Sequence, residues 1–121
     1  MGINFTDALG VHADALQLRA ERTRVLAANI ANENTPGFQA KDMDFGAVLQ
    51  GLQDNAAGQA RIEDGDPQAL YRVPYHPSRD GNTVEIGVEQ AAFSQNSSDF
   101  QTSLSFVSMT LKGLAKAIAG Q

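Results

Sequence analysis

Asp42 and Asp44 stand one residue apart, and two carboxylates so close are the nearest approach in this chain to a general acid–base pair of the kind that hydrolyses a glycan. Such work needs surroundings that push the two pKa values apart, and an exposed segment following a helix does not supply them. Two acids there are more simply solvated or bound to a partner's arginine. His12 and His76 are the other candidates for proton transfer. One falls in a helical pattern and the other in a loop, and nothing pairs either with an aspartate or a nucleophile. Asp80-Gly81-Asn82 opens like a calcium loop, but Val84 occupies the next ligand position, the required glycine does not follow and the terminal glutamate is missing. A tight Asp-Gly turn is the better account. With no cysteine, disulfides and thiolate metal sites are excluded. The sequence therefore asks for no catalytic residue, no metal and no cofactor, and predicts that the chain is not an enzyme.

The elements around these residues point to association instead. Leu9, Ala13, Leu16, Ala20, Thr23, Ala27 and Ile30 recur in alternating steps of four and three. So do Phe93, Ser97, Phe100, Leu104, Val107, Leu111, Leu114 and Ile118. A 3.5-residue period held this long marks a helix seam that packs along another helix. The first seam alternates large and small residues and the second is bulky. The two terminal helices are accordingly expected to pair like a coiled coil, with Phe100, Leu104, Leu111 and Leu114 filling the gaps left by Ala13, Ala20 and Ala27. An ordinary amphipathic core helix has the same periodicity.

Residues 7–32 hold no proline and are rich in Ala, Leu, Arg, Glu and Gln, all good helix formers. Asn32 or Asn34 can stop the helix in left-handed geometry, and Thr35 is pushed out of the helical region by Pro36. Pro36-Gly37 suits the centre of a type II turn, and Phe38 reads as an anchor pressed back onto the helix. The middle divides into a short helical turn over 44–52, a mobile loop over 53–68, and two alternating segments, 70–75 and 83–88, that read as a short β-hairpin closed through 76–81. The second helix is predicted from about residue 89. Eleven of its seventeen positions over 94–110 are Ser, Thr, Asn or Gln, a face suited to burial inside a polymer, where charge would be expensive. The organisation is thus 1–38, an axial helix and corner; 39–88, an irregular middle; and 89–121, a second axial helix, the two helices forming one domain. The fold class is mainly α.

At 121 residues and 42% hydrophobic content the core of such a chain is thin. The net charge of −5 is uneven: residues 33–89 carry ten acids against four bases, and 90–121 only Asp99, Lys112 and Lys116. Without a basic stripe, nucleic-acid binding is not expected. No apolar run approaches membrane-spanning length, and no basic segment leads an apolar one, so neither a membrane span nor a cleaved signal peptide is expected.

The run Leu26-Ala27-Ala28-Asn29-Ile30-Ala31-Asn32-Glu33-Asn34-Thr35-Pro36-Gly37-Phe38 resembles the signature of bacterial flagellar rod and hook proteins, which pair an N-terminal helix of this kind with a C-terminal heptad helix. Lys41-Asp42-Met43-Asp44-Phe45, Asp80-Gly81-Asn82-Thr83-Val84-Glu85 and the spacing of Asn96, Phe100, Ser103, Leu104 and Phe106 resemble segments of the proximal rod subunit of that family. Asn29, Asn32, Thr35, Pro36, Gly37, Phe38, Asp80, Gly81 and Asn82 carry the likeness. It implies an axial protein exported without a cleaved signal through the flagellar type III apparatus into the periplasmic rod. Its partners would be copies of itself, other rod subunits, the adaptor to the inner-membrane ring and the export gate. Another axial subunit of the same family is the nearest alternative. A cytoplasmic helical secretion adaptor is a further one, which the Thr-Pro-Gly corner argues against.

Overall fold

The computed structural model describes residues 5–55 and 70–120. Helix α1 spans Phe5–Ala31, strand β1 Lys41–Asp42, helix α2 Phe45–Asn55, strand β2 Leu70–Tyr71 and helix α3 Ile86–Ile118. At 1.5 Å per residue α1 is about 40 Å long and α3 about 50 Å. They pack antiparallel: Asn29 meets Glu89, Thr23 meets Asn96, Arg19 meets Asp99 and His12 stacks on Phe106. The mainly α fold with paired terminal helices is as the sequence predicts.

Each helix end has a local cause. The Asn32 side chain closes α1 by donating to the Ala28 carbonyl at 2.7 Å, and Thr35 Oγ1 donates in turn to Asn32 Oδ1 at 3.0 Å. The chain then makes the expected turn: Phe38 N–H donates to Thr35 O at 3.2 Å, and Gly37 takes φ 74°, which a side chain would resist. Asp44 caps α2 by accepting from Ala47 N–H at 3.1 Å, so the short helical turn expected over 44–52 is a helix of 11 residues.

The small sheet is two-stranded and antiparallel, but its strands differ from the expected hairpin. β2 pairs with β1, Lys41 opposite Tyr71 and Asp42 opposite Leu70, and not with residues 83–88. Only Thr83 of that second segment is strand-like, donating its N–H to Phe38 O at 2.9 Å; from Ile86 onward the segment is helix. Val84, Ile86 and Val88 alternate like a strand, yet so short an alternation does not separate strand from the first turn of a helix. The mobile loop expected over 53–68 falls within α2 at its first three residues; from residue 56 it lies outside the described residues.

Along the helix pair, each predicted seam divides into two rows. On α1, Leu9, Leu16, Thr23 and Ile30 are half-buried, while Ala13, Ala20 and Ala27 are exposed. On α3, Phe93, Phe100, Val107 and Leu114 are half-buried, while Leu104, Leu111 and Ile118 are exposed. The most buried positions lie a step around each helix: Ala15, Leu18, Leu26 and Asn29 on α1, Glu89 and Asn96 on α3. Periodicity sets the spacing of a seam but not the rotation of the helix about its axis, which here follows the polar groups that pair across it. Within this chain Leu104 and Leu111 therefore do not fill gaps at Ala13 and Ala27. Ala20 and Phe100 do share one groove, with Thr23, Ser97 and Gln101.

Candidate functional site: a polar clasp at the helix corner

The family-like residues from two distant segments meet where α1 ends and α3 begins. A helix C-terminus leaves orphan carbonyls, and the Asn82 side chain takes them up: its Nδ2 donates to the oxygens of Asn32, Glu33 and Thr35 at 2.9, 2.8 and 2.8 Å. Asn82 is itself held, its N–H donating to Asp80 Oδ1 at 3.1 Å and its Oδ1 accepting from Val84 N–H at 2.8 Å. Gly37 N–H donates to Asp80 O at 2.9 Å. Gly81, at φ 77°, approaches so closely that an added Cβ would stand 3.6 Å from Gly37 Cα. Asn32, Thr35, Gly37, Phe38, Asp80, Gly81 and Asn82 thus form one lock between the two ends of the chain, with Pro36 exposed on its turn.

Beneath the lock lies a charged layer. Asn29, fully buried, donates to Lys41 O at 2.6 Å and to Glu89 Oε2 at 2.9 Å, and accepts from Lys41 N–H at 3.1 Å. Arg22 holds Asp42 in a two-point fork, Nε to Oδ1 at 2.9 Å and a terminal nitrogen to Oδ2 at 3.0 Å. Arg72 bridges the two carboxylates, donating to Asp42 Oδ2 at 2.7 Å and to Glu89 Oε1. Glu89 is completely buried, and among the described residues Arg72 is the only cation paired with it. Burial pushes the Asp42 carboxyl up, but hydrogen bonds from Arg22 and Arg72, with one from Met43 N–H, outweigh it and hold the group below the usual carboxylate range. The Asp42 hydrogen bond raises the Arg22 guanidinium further still. Two cations against two anions, α1 to β1 and β2 to α3, tie four elements together.

A third layer sits two turns along α3. Asn96, fully buried, donates to Arg19 O at 3.0 Å and to Thr23 Oγ1 at 2.8 Å, leaving its Oδ1 without a protein partner. The Arg19 guanidinium bonds Asp99 at 3.2 Å and lies over the Phe45 ring at 4.0 Å, fixing α2 against the pair.

The candidate acid–base residues are thereby accounted for. Asp42 is bound by two arginines of its own chain rather than by a partner's, and Asp44 caps α2. His12 stacks on Phe106 at 5.8 Å, and His76 is exposed with its N–H on Glu85. Among the described residues no group of His, Cys, Asp and Glu is arranged to hold a metal ion. Sequence reasoning missed Arg22, Arg72 and Glu89. The one available signal was Glu89 itself, a charge on the apolar side of a helix start, one turn before Phe93.

A long antiparallel helix pair, locked at one end by polar groups and apolar along one open face, defines a structural subunit rather than a catalyst. Residues 9–39 match the family model described as Flagella basal body rod protein. A flagellar basal body rod protein FlgB from Cereibacter sphaeroides is 46% identical over 97% of this chain and 98% of its own length. Proteins of the same description from Aeromonas hydrophila and Escherichia coli K12 are 38% and 39% identical, over 100% and 92% of this chain and 99% and 92% of theirs. The chain belongs to the FlgB family of flagellar basal-body rod proteins, a structural family and not an enzyme family. None of its described helices is long and apolar enough to cross a membrane.

Proposed function

We propose that this rod subunit polymerises through its terminal helices into the proximal, periplasmic part of the axial tube, which transmits torque and conducts exported subunits. The observation that carries the reading is the open face of the helix pair. Leu104, Leu111 and Ile118 remain 49, 48 and 68% exposed on the second half of α3, and Ala13, Ala20 and Ala27 form a separate exposed row on α1. Burying one such large side chain against a neighbour contributes about 1.5–3 kcal/mol, and small residues opposite let the neighbour come close. The core of the single chain is thin, with Ala15, Leu18, Leu26, Ala40 and Met43 its buried apolar residues among those described. That supports folding completed by assembly: a marginally stable monomer that gains further helicity on polymerisation, followed by circular dichroism. Helicity unchanged on polymerisation would contradict it. Neighbours in this reading are other rod subunits, the adaptor to the inner-membrane ring and, during delivery without a cleaved signal, the type III export gate.

Leu104→Asp tests the open face directly. The side chain supports little of the isolated fold, so expression should be unchanged while incorporation into basal bodies and motility are lost. Unimpaired motility would refute the assignment. A purely cytoplasmic pool in cells with complete flagella would refute the rod reading as a whole.

A further inference from the structure

All nine large hydrophobic side chains left exposed among the described residues fall in two places. Leu104, Phe106, Met109, Leu111 and Ile118 lie on the second half of α3. Leu70, Tyr71, Val73 and Tyr75, 56–83% exposed, lie on a strap formed by β2 and the residues that follow it. The strap is held mainly by polar groups: the Arg72 guanidinium on Asp42 and Glu89, Arg72 N–H on Ala40 O at 2.9 Å, and the N–H groups of Tyr75 and His76 on Glu85 Oε1, both at 2.9 Å, with Lys41 Nζ over the Tyr71 ring at 5.3 Å. These anchors give the strap a defined shape without burying its apolar side chains, which are the part of it that interior packing would normally use.

The two patches are at opposite ends of the molecule. The strap is tied to the first turn of α3 through Glu89, and Ile118 lies about 43 Å further along that helix. Their lengths match: residues 70–75 span about 17 Å when extended, and the row from Leu104 to Ile118 about 21 Å. The strap end is acidic and the end of α3 is basic. The strap end carries Glu33, Asp44, Asp80 and Glu85 against Lys41 and Arg79, whereas α3 beyond Asp99 has Lys112 and Lys116 and no acid of its own, the acids at that end being Asp7 and Asp14 of the neighbouring α1. Two strap ends would repel one another, and a strap end and a helix end would attract.

We infer that the strap at 70–75 is the docking surface for the C-terminal helix end of a neighbouring axial subunit, a helix with an aliphatic heptad row flanked by lysines of the kind α3 carries at 104–118. The inference rests on the rod-subunit reading and adds to it which end meets which. The contact is heterologous, so each subunit keeps one free end and the association extends along a line instead of closing as a dimer.

Replacement of Val73 by p-benzoylphenylalanine, with a second probe at Tyr71, tests this in isolated basal bodies irradiated and digested for peptide sequencing by mass spectrometry. Val73 makes none of the strap's anchoring contacts, and Tyr71 only the one to Lys41 at 5.3 Å. The expected adduct carries a peptide from the C-terminal helix of an axial subunit, and it falls at least tenfold when Val73→Asp is combined with the Tyr71 probe. Adducts on N-terminal helices or ring proteins, or none from either probe, overturn the docking assignment. If the unmodified chain is itself missing from the basal bodies, it is the rod reading that fails.

Discussion

Arg72→Ala should be the most damaging single change in the middle of this chain, although β2 is only two residues long and exposed. The Arg72 side chain, 15% exposed, supplies the one cation on Glu89 among the described residues, and the Glu89 side chain is fully buried. Removing it leaves that carboxylate with Asn29 Nδ2 as its remaining donor, while Asp42 keeps the fork from Arg22. Breaking a buried pair by deleting one partner costs about 3–5 kcal/mol, mostly the desolvation of the ion left behind. With so few apolar residues buried, total stability should lie near the low end of the usual range, about 5 kcal/mol, so the variant should keep no more than about 2 kcal/mol of it. The second substitution is the decisive one. Glu89→Gln removes the charge but still accepts from Asn29, so Arg72→Ala/Glu89→Gln should recover about 2 kcal/mol over Arg72→Ala alone. Urea melts of the four proteins, followed at 222 nm in 0.15 M salt, measure the cycle. An Arg72→Ala midpoint within about 0.5 kcal/mol of the parent, or no recovery in the double variant, would refute the claim that Glu89 is the charge at stake.

The Asp42 carboxyl is held below its ordinary value of 3.8, so its contribution to stability is fully present above that pH and is lost as pH falls through the lowered value. The urea midpoint should drop as pH falls below 3.8, and the Asp42→Asn variant, already weaker at pH 7, should show a shallower drop. Gly37→Ala should cost about 1–2 kcal/mol because φ 74° places a side chain in the left-handed region, although nothing lies within 4 Å of its Cβ. Gly113→Ala, inside α3 with equally open surroundings, should instead stabilise by about 0.8–1 kcal/mol, and thermal melts of the two variants should move in opposite directions. Asn82→Ala removes the side-chain donor from three carbonyls, of which Asn32 O and Thr35 O keep backbone partners and Glu33 O does not, and should cost about 1–3 kcal/mol, with hydrogen exchange fastest at residues 33–38.

Much of the corner was legible in the chain because its chemistry is local. A proline before a glycine, an asparagine three residues earlier and an Asp-Gly pair each restrict their own backbone, and the turns at Gly37 and Gly81 have the positive φ those residues allow. The two long helices were legible for the same reason, as proline-free runs with a sustained period. The hairpin was misread because alternation in residues 83–88 says nothing about which strand lies alongside. Arg72 draws β2 to β1 through Asp42 and Glu89, charges 30 and 17 positions away.

By itself, then, the sequence determined that this protein is a pair of long helices joined by a sharp corner, and that its seams repeat every three and four residues. Only the tertiary structure decided how each helix is rotated. Apolar contacts are non-directional, so Ala13 and Ala15 serve a seam almost equally well. Hydrogen bonds from buried Asn29 and Asn96 are directional, and they choose one rotation and one register. That choice turns Leu104, Leu111 and Ile118 away from their own chain and leaves them for a neighbour.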